Sequence, residues 1–187
     1  GNYAYWYMND GVTDQQFISQ NLDSIASGSY IISADIAGVF SEGNLSIILK
    51  KKDSNENNSL LATLSLGSGN GWGAWNTVDT TFQITENAEN LLIVLEGKMD
   101  SDQQLQLDNV ILQQITLDLL NSLIEKANNL VESDYTAASW ASLQTALSSA
   151  KEVIKNSDSN GVADAYKNLS EAMDNMEKES PSINIKK

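Results

Sequence analysis

The chain has 187 residues, 41% of them hydrophobic and 19% charged, a globular composition that fills one large domain or two small ones. Its 25 acidic residues against 11 cations, all of them lysine, give a net charge of −14, which argues against nucleic acid, anionic membranes and polyanionic sugars as partners. With no Cys and no His there are no disulfides, no zinc site of the usual Cys/His kinds and no imidazole base, and no apolar run approaches the roughly 18 residues needed to span a bilayer.

The opening segment, "YAYWYMNDG" at residues 3–11, places Tyr3, Tyr5, Trp6 and Tyr7 within five positions. On a strand, Tyr3, Tyr5 and Tyr7 share one face and Ala4, Trp6 and Met8 the other, so the four rings cannot all do one job. The Ala-Trp-Met set is the more core-like in composition. Seven further runs follow: "QFISQNL", "GSYIISADIAG", "NLSIILK", "SLLATLSL", "NTVDTTFQIT", "NLLIVLEG" and "QLQLDNVILQQ". They are short, often alternating, and bounded by Gly, Asn, Asp and Ser clusters. "KKKDSNENNS" at residues 50–59 reads as a polar hairpin tip, and "LGSGNGWGAW" at residues 66–75 as a glycine-rich loop holding Trp72 and Trp75. Eight strands without an intervening helix predict an all-β jelly-roll sandwich over residues 1–114.

From about residue 115 the apolar period changes to 3.6. Leu117, Leu120, Leu123 or Ile124, Ala127 and Leu130 share a first stripe; Trp140, Leu143, Leu147, Ala150 and Ile154 a second; Val162, Ala165, Tyr166, Leu169, Ala172 or Met173, and Met176 a third. "SDYTA" and "NSDSNG" break the pattern and offer N-caps. The expectation is an antiparallel three-helix bundle over residues 115–178, with Trp140 and Tyr166 in its core, followed by a linker or tail at 179–187. "LQQITLDLL" holds no flexible spacer, so a fairly rigid junction between the halves is expected. Gly1 at the start and "SPSINIKK" at the end lead us to read the chain as a piece of a longer protein.

The helical residues Tyr135-Thr136, Ser139-Trp140, Leu143, Ala146-Leu147, Ala150, Val162, Ala165-Tyr166, Leu169 and Ala172 resemble the FIVAR bundle of large secreted and wall-attached proteins of Gram-positive bacteria. The "AYWY" strand, "FISQNLDSIASGSYIISADIAG", the "GWGAW" loop and "LDNVIL" resemble the galactose-binding-like modules of secreted endo-β-1,4-galactanases, carbohydrate-binding module family sixty-one and its relatives. Relatives often carry a further Trp where this chain has "MDSDQQLQLD". The resemblance implies a galactose-binding-like sandwich, a β-1,4-galactan or other galactose-containing ligand, and a place for Trp6 in the ligand cleft. The composition of its strand instead puts Trp6 in the core.

A sugar site has clear physical requirements. A pyranose offers one face of C–H groups and a rim of hydroxyls; galactose, with O4 axial, gathers C3–H, C4–H and C5–H on one side. Stacking an aromatic ring there removes water from both surfaces, while the rim needs Asn, Asp, Gln or Ser partners, because a buried unpaired hydroxyl costs several kcal/mol. Trp and Tyr suit the task and lose little side-chain entropy. The candidate carbohydrate-binding residues are Tyr5, Trp6, Tyr7, Asn9, Trp72, Trp75 and Asn76. A structural calcium ion is a further expectation for such a sandwich, with Asp108 and Asp10, or Asp14, as ligands, although no EF-hand spacing is present.

No nucleophile elbow or phosphate loop appears, and a paired-carboxylate glycosidase site finds no specific support, so no catalysis is expected. The reading is a non-catalytic, monomeric carbohydrate-binding module with a helical spacer. It would come from a secreted or surface-displayed bacterial glycoside hydrolase, bind a neutral polysaccharide and serve a tethered catalytic domain. The alternative is a structural or adhesive segment of a cell-surface protein that contacts another protein. The location of the rings discriminates between the two.

Overall fold

The computed structural model describes residues 4–7, 12–52 and 58–179. The chain divides into two compact units, Gly1–Gln114 and Ile115–Lys187. The first holds eight strands: β1 (Ala4–Tyr7), β2 (Val12–Ile25), β3 (Gly28–Val39), β4 (Leu45–Lys52), β5 (Asn58–Ser65), β6 (Gly71–Ile84), β7 (Ala88–Met99) and β8 (Gln104–Gln114). One sheet has the order β1-β8-β3-β6 and the other β2-β7-β4-β5, with every pairing antiparallel. Successive strands alternate between the sheets except for the β4–β5 hairpin, the winding of an eight-stranded jelly roll.

The alternation of the sequence accounts for this sandwich. Ile32, Ala34 and Ile36 of β3 point inward, as do Leu45 and Ile47 of β4, Leu64 of β5, Leu95 and Met99 of β7, and Leu105 and Leu107 of β8. Burying each Leu or Ile contributes roughly 1.5–3 kcal/mol, which fixes the register, because a slip of one residue would turn the whole set to solvent. A second cluster closes the other part of the core around Tyr30, Leu49, Ile84 and Leu91. There Tyr30 stacks on Phe82 at 5.8 Å and donates its hydroxyl to the Ala26 carbonyl.

β6 begins five residues earlier than the run read from the sequence. "GWGAW" belongs to the strand and is not a free loop. The tip of the β4–β5 hairpin lies outside the described residues.

The second unit holds three helices, α1 (Leu117–Asn128), α2 (Ala137–Asn156) and α3 (Val162–Asp174), each touching the other two. Thr116 and Thr136 cap α1 and α2, accepting hydrogen bonds from the Leu119 and Ser139 amides. The buried residues are Leu120, Leu123, Ile124 and Ala127 of α1, Leu143, Leu147 and Ala150 of α2, and Val162, Ala165 and Leu169 of α3. Trp140 departs from expectation. It is half-buried, lying parallel to Tyr135 with centroids 6.5 Å apart. In the first turn of α2 it sits at the end of the apolar stripe, where its neighbours cover only part of the ring. Tyr166 is likewise half-buried.

Candidate functional site

Alternation along β1 divides Tyr5 from Trp6 as strand geometry demands, and the side chain of Tyr7 is outside the described ones. Tyr5 pairs with Gln106 of β8, and Tyr7 with Gln104. Tyr5 faces out of the sandwich, 45% exposed, and donates its hydroxyl to Gln104 Oε1 at 3.4 Å. Trp6 faces inward, half-buried against the main core cluster, with its ring edge-to-face on Phe17 at 5.9 Å. Trp6 therefore fills the core, as its strand composition implies, and does not share the face that Tyr5 presents. Tyr3, Asn9 and Asp10 lie outside the described residues.

Trp72 and Trp75 are carried by a wide bulge in β6. Ile36 of β3 pairs with Asn76 and Gly38 pairs with Gly71, so residues 72–75 of β6 stand against Ala37 alone. The extra residues must leave the sheet plane. Gly71 and Gly73 turn the chain there at φ 114° and 68°, values that side-chain-bearing residues rarely adopt. Before the bulge, the chain presses against β3 at a second glycine pair. A Cβ on Gly69 would lie 2.3 Å from the Gly38 carbonyl oxygen, and the Gly69 amide donates to Phe40. Asn70 Nδ2 donates to Asn76 Oδ1 at 3.3 Å, closing the neck of the bulge. Asn76, paired with the core residue Ile36 and half-buried, thus serves as a clasp.

Tyr5 and Trp72, 67 positions apart in the chain, meet edge-to-face with centroids 5.0 Å apart and planes at 90°. Trp72 is 53% exposed and Trp75 41%. Two perpendicular rings form a corner. A flat apolar face can lie on one ring while the other closes the side.

The polar surround was only partly visible in the sequence. Gln104, Gln106 and Asp108 alternate with the inward Leu105 and Leu107, so the motif "QLQLD" marks one polar row beneath the rings. Gln106 is 2% exposed, and its Oε1 accepts the Gly73 amide at 2.8 Å. One register step away, roughly 7 Å along the strands, Asp108 pairs with Asp35 of β3, which pairs in turn with Thr77 of β6. The Asp35 carboxylate accepts hydrogen bonds from Thr77 Oγ1 at 2.5 Å and from Asn109 Nδ2 at 2.7 Å. Asp108 Oδ1 accepts the amide of Asn109, a residue in the left-handed region at φ 47°.

Of the calcium ligands expected, Asp108 is described and Asp10 is not. Asp35 and Asp108 are neighbours, and no group of three or more acidic side chains gathers among the described residues. The side chain of Asp14 is not among those described.

No protein-family profile matches the chain, and no curated protein matches it. Solved structures that it is similar to include carbohydrate-binding modules. A family 4 module is 18% identical over 60% of this chain and 70% of its own, with a TM-score of 0.43. A family 61 module in complex with β-1,4-galactotriose is 16% identical over 60% and 70%, at 0.41. A structure from Clostridium perfringens ZmpB that holds a family 51 module and INT domains is 13% identical, covering 96% of this chain and 45% of that one, at 0.34. With every score below 0.5, these likenesses establish neither the family nor the ligand.

Proposed function

We propose that the β-sandwich is a non-catalytic module that binds a neutral polysaccharide on the outer face of its β1-β8-β3-β6 sheet. The observation that carries this reading is the bare aromatic corner of Tyr5 and Trp72, with Trp75 on the same bulge. A soluble protein leaves indole rings in water at a cost unless something covers them. A pyranose fits this corner in both respects. Its C–H face lies on one ring, and its hydroxyl rim meets the carboxamides and carboxylates of the adjoining rows. The Asp35–Asp108 pair and the net charge of −14 favour neutral glycans over uronic acids. Amide and carboxylate partners beside outward rings favour a sugar over a protein partner.

β-1,4-Galactan is the first glycan to test, following the resemblance carried by the "AYWY" strand and the "GWGAW" motif. The function is targeting. A weakly binding module raises the local concentration of polysaccharide around a catalytic domain tethered to it in a secreted or surface-displayed enzyme. The three helices act as a bundled spacer. Calorimetry and affinity electrophoresis against β-1,4-galactan, arabinogalactan, xylan, β-glucan and polygalacturonate test the reading. Binding to at least one neutral glycan and none to polygalacturonate is expected; a folded sample retarded by no neutral glycan contradicts it.

A further inference from the structure

Gln106 stands out as the buried polar side chain of the described residues, on a strand whose other buried members, Leu105 and Leu107, enter the core. It occupies the opposite face, directly across the β1–β8 ladder from Tyr5 and across the β3–β8 ladder from Ala37, itself fully buried. Ala37 is the single residue over which β6 makes its four-residue excursion. Gln106 therefore lies under both halves of the aromatic corner. Its Oε1 accepts the Gly73 amide of the excursion itself at 2.8 Å. Glycines at 71 and 73 allow the bulge its shape but also leave it many others. A hydrogen bond from the floor of the sheet to the middle of the bulge selects one of them.

We propose that Gln106 is a positioning residue for the aromatic platform: its buried carboxamide latches the β6 bulge through the Gly73 amide and so holds Trp72 edge-on to Tyr5. The latch needs no ligand contact of its own. A site that is correctly formed only part of the time binds more weakly by that fraction. Loss of one hydrogen bond corresponds to a change of roughly fivefold, which is about 1 kcal/mol net. Ala37 is small because the bulge must pass close above it, and Gln is long enough to reach the bulge from the next strand. Leu and Met have similar bulk but offer no comparable acceptor.

The proposal is tested in the full chain with Gln106→Met and Gln106→Leu. Two readouts need no ligand: hydrogen exchange of the Gly73 amide, and the chemical shift of the Trp72 indole, which senses the Tyr5 ring. In both variants Gly73 exchange is expected to quicken about fivefold, and the Trp72 indole signal to move toward its value in Tyr5→Ala. The core amides of Ile32 and Ile36 should keep wild-type exchange. A third readout, affinity for β-1,4-galactan, rests on the function proposed above and should weaken about fivefold. Unchanged Gly73 exchange in a folded variant overturns the latch. So does acceleration spread equally over the core amides, which would make Gln106 a general stability residue. If the wild type binds no neutral glycan, the functional reading falls, while the exchange measurements still decide the role of Gln106.

Discussion

Replacing Trp72 by alanine removes the most exposed ring of the corner, and its effect can be worked from the structure. The side chain carries roughly 200 Å² of largely apolar surface. At 53% exposure about half of this is bare, and a saccharide on one face covers about half of that, near 50 Å². At about 25 cal/mol per Å² the lost burial is about 1.3 kcal/mol, or close to tenfold in affinity. The substitution also removes the edge-to-face contact with Tyr5, worth at most about 1 kcal/mol at an exposed site, so the melting temperature should fall by only a few degrees. Calorimetry against β-1,4-galactan, or whichever neutral glycan the wild type binds, paired with a thermal melt, reads both quantities. A variant that binds like wild type refutes the platform. A variant that barely folds refutes the assignment of Trp72 to the surface.

Trp6→Ala should behave in the opposite way. It opens a gap beside Phe17 and the main core, lowering stability by about 2–3 kcal/mol and the melting temperature by roughly 10 °C, with little change in glycan affinity at temperatures where the protein is folded. Leu143→Ala, at a fully buried position of α2, should lower the stability of the helical unit by about 2–5 kcal/mol. The same variant should bind glycan as wild type does, because every residue of the platform belongs to the first unit.

Much of this architecture was legible because hydrophobic period is a local property. Leu105 and Leu107 alternating with Gln104, Gln106 and Asp108 give β8 directly, and the stripe of Leu143, Leu147 and Ala150 gives α2. The split of the first strand into an outward Tyr5 and an inward Trp6 followed from the same alternation. What periodicity cannot supply is register between distant strands. The meeting of Tyr5 with Trp72 depends on β1 lying beside β8, β8 beside β3 and β3 beside β6, and nothing near either residue encodes that order. The "GWGAW" stretch looked like a loop because its glycines signal backbone freedom. It is a strand with a bulge because Gly38 and Gly69 approach closely and Gln106 offers an acceptor, both contributions from elsewhere in the chain. Trp140 failed as a core residue for a simpler reason. A helical stripe marks the face toward neighbours but not how far along the helix those neighbours extend.

The four tryptophans provide the most direct test of the central claim, since Trp6, Trp72, Trp75 and Trp140 each give one indole N–H signal. In a titration of the isotopically labelled wild-type protein with a neutral galacto-oligosaccharide, the account predicts that the Trp72 and Trp75 signals shift together and saturably, while those of Trp6 and Trp140 stay in place. Movement of Trp6 or Trp140 alone, with Trp72 and Trp75 fixed at saturation, would contradict it.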